Sequence, residues 1–508
     1  MLEFNILFEN HFKVFLPEIY VITLTLFLII VGVSISNLKK YNYSYYVKEM
    51  SVFAILSLFF TLLLILNNPL NNILIFNNLF VVDTFSVFIK SFSLLMTIGC
   101  IFISISFVER SKINVFEYII LLLCSTFGLL CLVSSFDLVS MYISLEVQSL
   151  AFYILASLRK DSSFSNEAGL KYFILGAFSS GLLLLGISFI YGVVGTTNFE
   201  DLGKFFIGFD FLSFSNDIFN VNNRIILGII FIFVGLLFKL SAAPFHMWVS
   251  DVYEGSPFFI TVLFSVVPKI AILGVVVKIF YFALYEGVFF WQSIGLFCGI
   301  LSIFVGTLKA LQQNKIKRFL AYSSIGHVGF LLLGFSTGTL VGVQSLLFYL
   351  VIYAITMINI WAIMIVLEIK KRKHFVQVKY INDLQGLAKS NSLLAYSLGI
   401  NMFSMAGVPP LAGFFAKFYV LFSAFESSFN ILVILAILLS VVSAFYYIRF
   451  IKIVFFDDNS VGFLHSSSIN YSHALILGFT FLFIVFLFLC PNPLLILTQF
   501  IGLEFFIL

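Results

Sequence analysis

The stretch GLLFKLSAAPFHMWVSDVYEGSP, Gly235–Pro257, decides how this chain is read. Lys239 stands inside an apolar run, and Pro244 follows five residues later. A proline removes a backbone donor and frees the carbonyl four residues back. In lipid those groups must be satisfied inside the protein, so such a break belongs where protein or cavity water surrounds it. A cation and a helix breaker in one span therefore point to a discontinuous helix beside a polar interior.

The remainder of the sequence supplies the membrane. The 508 residues are 61% hydrophobic and 10% charged, with a mean hydropathy of +1.12. Apolar segments longer than about 18 residues recur along the chain, which predicts an all-α polytopic membrane protein. Fourteen spans are expected, the seventh at 225–249 and the twelfth at 391–425. Nineteen of the 28 Lys and Arg residues fall in alternate loops, from Lys39 and Lys40 through Arg159, Lys315 and Lys370–Lys389 to Lys452. Only Lys13, Lys204 and Arg224 fall in the opposite set. The basic loops face inward and both termini outward. The N-terminal MLEFNILFENHFKVF has no basic leader region or small-residue cleavage site, so no removed signal is expected.

Several chemistries are disfavoured. Cys100, Cys124, Cys131, Cys298 and Cys490 show no CxxC spacing, which argues against an iron–sulfur cluster or attached haem in this chain. They read as small apolar filler. No phosphate-binding glycine loop is present. No cluster has metal-ligand spacing, and no nucleic-acid partner is expected; the surroundings are lipid. The 68 phenylalanines, with abundant Ile, Leu and Asn, fit an AT-rich gene of the kind found in organelle genomes.

Six cations remain inside the spans: Lys90, Lys171, Lys239, Lys269, Lys278 and Lys417. A charge at mid-membrane costs about 3 kcal/mol even on permissive insertion scales, so such residues face a polar interior. Lys90 and Lys278 lie where they can snorkel to a span end, and Asp83 sits seven residues before Lys90 as a local partner. Glu146 lies midway between Asp137 and Arg159. Together with Lys239, Lys269 and Lys417 it marks a transport pathway. His327, in AYSSIGHVGFLLLGF, is mid-span and joins this set; Lys171 lies nearer the inner end of its span. His246, just after Pro244, either lines the break or caps freed backbone groups.

A second break is expected in FSMAGVPPLAGFFAKFYV, at Pro409 and Pro410, with Lys417 beyond it. Paired breaks predict inverted repeats around a midplane site. The expected organisation is 1–112 as three N-terminal helices, then 113–284 and 285–455 as five-helix units. Residues 456–508 form a last helix and tail. An odd helix number inverts the second unit, and the broken helix is fourth in each.

At this point the residues resemble a known family. LSAAPFHMWVSDVYEGSPFFITVLFSVVPKIAIL, NKIKRFLAYSSIGHVGF, SMAGVPPLAGFFAKFYVL and SLEVQSLAFYILASLRK resemble the antiporter-like second membrane subunits of NADH:ubiquinone oxidoreductase, respiratory complex I, bacterial subunit N included. The likeness is specific over roughly residues 100–455. It implies a fourteen-helix antiporter-like fold and redox-driven proton translocation. Glu146 matches the family's glutamate of the fifth helix, Lys239 the lysine of the broken seventh, Lys269 that of the eighth and Lys417 that of the broken twelfth. Ser250 stands where the family usually has proline in HMWVPDVYEG. The resemblance further implies that NADH, FMN, iron–sulfur clusters and ubiquinone bind partner subunits, that other complex I membrane subunits are neighbours, and that the location is the mitochondrial inner membrane, with a bacterial plasma membrane as the alternative. Two rivals share the same residues: a stand-alone cation/proton antiporter, and a scaffold whose buried charges only fix helix packing.

Overall fold

A computed structural model describes residues 11–36, 43–68, 73–111, 116–207, 216–371, 374–457, 464–466 and 470–507. Lys39, Lys40, Lys112, Arg372 and Lys373, assigned above to the inner face, lie outside the described residues.

The helices follow one another across the membrane with short connections. They are α1 (Leu16–Ser36), α2 (Tyr43–Leu66), α3 (Thr84–Ser111), α4 (Glu117–Ser134), α5 (Leu138–Ala156) and α6 (Ser163–Val194). A short surface helix, α7 (Phe199–Phe206), precedes α8 (Asn216–Leu240), α9 (Met247–Gly255) and α10 (Phe258–Lys278). Next come α11 (Val288–Leu311), α12 (Ile316–Phe335), α13 (Leu340–Val366), α14 (Ser392–Ala406), α15 (Ala412–Glu426), α16 (Asn430–Phe455) and α17 (Tyr471–Leu489). A final helix, α18 (Asn492–Ile507), was not anticipated. Thirteen helices among the described residues are long and apolar enough to span. The remaining span is the pair α14 and α15, each half too short alone.

Burial sorts the helices. Every side chain of α10 is buried, and α13 is nearly so. Both are mostly apolar on every face, as helices at the centre of a bundle must be, with a few buried polar groups set among them. The outer helices leave Leu26, Phe178, Ile431, Phe445 and Phe479 exposed, which suits lipid and would be a liability in water. Close approach between α6 and α8 depends on Gly186 and Gly228, where a Cβ on either would press on the other's carbonyl oxygen.

Small sheets finish the two faces. At one end of the bundle, β1 (Ile73–Ile75) and β2 (Phe80–Val82) form an antiparallel hairpin with Ile73 opposite Val82. At the other end, β3 (Leu367–Lys371) runs on from α13 and pairs antiparallel with β4 (His374–Gln377) and β5 (Leu464–Ser466).

Candidate functional site: a buried polar row

Both expected breaks are present. The seventh span stops at Leu240 and restarts at Met247; the twelfth stops at Ala406 and restarts at Ala412. Ala243–Pro244 and Pro409–Pro410 are cis. Each break leaves helix-end carbonyls that lipid cannot satisfy, and side chains take them up. Trp248 Nε1 donates to the Phe238 carbonyl at 3.1 Å. Lys417 Nζ donates to the Ala406 carbonyl at 2.8 Å, while the Gly413 N–H donates to Ser404 Oγ at 3.1 Å. Lys239 occupies the last turn of α8, and Lys417 reaches the end of α14. Each lysine thus sits at the negative end of a half-helix dipole, which favours a cation there. Ser250 lies inside the unbroken turn of α9, so the departure from proline leaves that helix continuous.

Asp137 sets up the neighbouring helix. Its side chain accepts the Val139 N–H at 2.7 Å and the Thr197 hydroxyl at 2.7 Å, fixing the start of α5. Glu146 follows on α5, and its Oε1 is buried without a hydrogen-bond partner. Two turns further along the same helix, Tyr153 accepts a hydrogen bond from Lys239 Nζ at 3.4 Å. Glu146 and Lys239 act on each other electrostatically without being joined as an ion pair.

Beyond Lys239 the groups continue in sequence. A cavity of about 10 Å³ is walled by Lys239, Lys269, Gln148, Ser149 and Ser241. That is close to the room one water needs. Gln148 Oε1 and Ser241 Oγ are buried and unbonded, two polar groups that a bridging water would satisfy. Lys269 Nζ donates to Tyr353 Oη at 3.1 Å, and Tyr353 donates to the Ser265 carbonyl at 3.1 Å. The helix is already loosened here: Pro268 removes a donor from α10 and frees the Phe264 carbonyl, which Tyr253 Oη satisfies at 3.1 Å.

The ring of His327 lies 5.5 Å from that of Tyr353. Its Nδ1 is 2.6 Å from Tyr349 Oη and its Nε2 3.1 Å from Tyr447 Oη. A second cavity of about 10 Å³ joins His327, Tyr349, Tyr353 and Ser404 to Lys417. Gly407 adopts φ +86° at the break, and its Cα faces the Lys417 stem.

Five expected residues thus fall into one row, Glu146, Lys239, Lys269, His327 and Lys417, three of them mid-helix and the lysines 239 and 417 at the breaks. Lys171 and His246 do not join it. Lys171 is half-exposed and pairs with Asp251 at 2.9 Å and Glu167 at 2.7 Å, in a charged cluster with Arg318, Glu254 and Lys315 at one end of the bundle. His246 is buried in the break and feels Lys309. Lys90 and Lys278 are fully buried rather than snorkelling. Lys90 pairs with Glu18 of α1, and Asp83 pairs with Lys278 at 3.6 Å, so the expected Asp83–Lys90 contact is replaced by two interhelical ones. The tyrosines 153, 349, 353 and 447 and the polar Gln148 and Ser241 were not anticipated. Tyr349 and Tyr353, one turn apart, carried the only signal.

Comparison with known proteins follows the same pattern. The family described as NADH:quinone oxidoreductase/Mrp antiporter, TM, matches residues 135–443. The chain is 46% identical to the NADH-ubiquinone oxidoreductase chain 2 of Marchantia polymorpha, across 97% of this chain and 98% of that one. It is 41% identical to the NADH-quinone oxidoreductase subunit N of Paramagnetospirillum magneticum, across 94% and 95%. A chain of respiratory complex I from Thermus thermophilus superposes with a TM-score of 0.76 at 26% identity, over 95% of this chain and 99% of that one.

Proposed function

The chain belongs to the NADH:quinone oxidoreductase/Mrp antiporter membrane family, and from that premise we propose that its buried polar row carries the protons. The protein is an antiporter-like, proton-translocating membrane subunit of respiratory complex I, the NADH:ubiquinone reductase of the inner mitochondrial membrane. In this reading NADH, flavin, iron–sulfur clusters and quinone are bound by other subunits, and antiporter-like membrane subunits are the neighbours. Residues 113–284 and 285–455 act as two inverted units. The position of the break, fourth in each, supports that division.

The observation that carries the proposal is continuity. Direct hydrogen bonds and two cavities of one-water size link Lys239 to Lys417 without a lipid-facing gap. The chemistry follows from the groups. A lysine ammonium has donors only and must lose its proton before it can accept another. Glu146 controls when. Closing to about 4 Å would hold the Lys239 ammonium by roughly 4 kcal/mol at an effective dielectric near 20. With the carboxylate withdrawn, burial disfavours the charged amine and its proton leaves towards Lys269. Tyr353 conveys the change to His327. A neutral imidazole donates through one nitrogen and accepts through the other, whereas the protonated ring donates through both. His327, held by a tyrosine hydroxyl at each nitrogen, can pass a proton through the ring towards Lys417.

NADH-driven proton uptake by the complex in sealed vesicles tests this. Lys239→Met and Glu146→Gln should assemble and pump poorly. Lys239→Arg should also fail, because arginine keeps its proton. Wild-type pumping by an assembled Lys239→Arg complex would leave Lys239 an electrostatic role only.

A further inference from the structure

The inner face holds a cavity of about 370 Å³ that takes no part in the row. Arg159, Lys315, Lys317 and Lys379 line it, with Glu254 as the one carboxylate among its lining residues. Glu254 is already engaged by Lys315 and by Arg318. Lys317 donates to the Ser256 carbonyl and lies 4.1 Å from the centre of the Phe258 ring. Arg159 and Lys379 repel it across the cavity, while Glu254 attracts it from a distance. Among the described residues no carboxylate forms an ion pair with Arg159, Lys317 or Lys379. With four cations to one carboxylate, the cavity carries an excess of positive charge.

Two further groups turn the basic patch into a built site. Ser256 is 1% exposed and its hydroxyl has no partner; the Gln377 amide nitrogen is buried and unbonded too. Both line the cavity. Ser256 and Pro257 lead into α10, so the positive end of a 21-residue helix opens at the same place. The lower walls are apolar: Phe107, Phe164, Pro257 and Phe258. Cations, neutral donors and a helix N-terminus converging on one space suit a tetrahedral oxyanion. Aromatic walls at the membrane surface suit the glycerol and first methylenes of a lipid, and basic pockets between helices on the inner side take anionic headgroups. We propose that this cavity binds a phosphate group, carried by an anionic phospholipid of the inner leaflet.

Labelling at the cavity mouth tests the proposal in the assembled, detergent-washed complex. Tyr380 is 48% exposed and lines the cavity, so Tyr380→Cys reports occupancy through its rate of reaction with a maleimide, read on the peptide by mass spectrometry. Phe164→Cys on another wall gives a second reading. One arm adds dihexanoyl phosphatidylglycerol and the other inorganic phosphate. Saturable protection in either arm is expected, and the arm acting at lower concentration names the source. Arg159→Gln and Lys379→Gln, both at exposed positions, should each raise the half-protecting concentration about fivefold. Lys204→Gln, on the outer face, should leave it unchanged. No protection at either cysteine, or equal protection in wild type and both variants, overturns the proposal.

Discussion

Tyr353 shows how much one hydroxyl is asked to do. It accepts from Lys269 and donates to the Ser265 carbonyl, and its ring faces His327. A hydrogen bond to a charged group contributes about 1.5–3 kcal/mol. Tyr353→Phe should therefore slow proton pumping roughly tenfold or more while the complex still assembles; an unchanged pumping rate would remove Tyr353 from the path. The Glu18–Lys90 pair predicts the opposite kind of result. Both side chains are almost wholly buried, and taking away one partner strands the other at a cost of about 3–5 kcal/mol. Glu18→Gln should lower the amount of assembled complex on native gels, and Glu18→Gln with Lys90→Met should restore much of it. The two residues belong to different legibilities. A lysine in a span announces itself by its cost. A tyrosine does not, because 22 of them are scattered through an aromatic-rich chain, and only packing shows which face a lysine. For the same reason the partners of Lys90 and Lys278 are illegible in sequence, which shows proximity along one helix but not between helices.

At the scale of elements, the two breaks were the most legible features, since proline in a span has a definite steric meaning. What the pattern did not carry was how the freed groups are satisfied. Trp248, Ser404 and Lys417 do this across each break, between the two half-helices. Pro268 leaves α10 an unbroken helix, so proline in a span does not by itself mark a break. The helix α18 was read as a tail, being too short to span, although Asn492 and Pro493 are ordinary start signals. The twelfth-span break has a testable hinge. Gly407 has φ +86°, and a Cβ there would stand 2.9 Å from Lys417 Cδ. Gly407→Ala should cost about 1–3 kcal/mol of local strain and displace the lysine. We expect pumping to fall several-fold with quinone reduction less affected, measured as protons moved per NADH oxidised. An unaltered ratio would show that this turn does not position Lys417.

Across the whole molecule, charge asymmetry between the faces and the span count support each other, because one missed span would exchange the faces. The five cysteines provide a native check on that orientation. Cys100, Cys131 and Cys298 are buried and Cys124 is partly so, whereas Cys490 is exposed where α17 ends. A membrane-impermeant maleimide should label Cys490 in mitoplasts, whose outer face is accessible, and leave it unlabelled in inverted vesicles. The reverse pattern would turn the entire bundle over. The outer end is also where α18 closes back on the bundle. Glu504 accepts the Phe85 N–H at 2.8 Å and the Thr84 N–H at 3.2 Å, so the last helix caps the third span.

Glu146, Lys269 and His327 lie near the middle of their helices, and Lys239 and Lys417 lie at the breaks that divide theirs, so the row keeps to mid-depth. A proton passing from Lys239 to Lys417 therefore moves alongside the two aqueous phases and gains almost no depth between them. Transfer of one charge across the full membrane costs about 2.3 kcal/mol per 100 mV. Almost none of that electrical work falls on the steps within the row. It falls on the uptake step that brings a proton to mid-depth and on the release step that takes it away, so a rising membrane potential should brake the ends of the cycle and leave the lateral transfers running at the same speed.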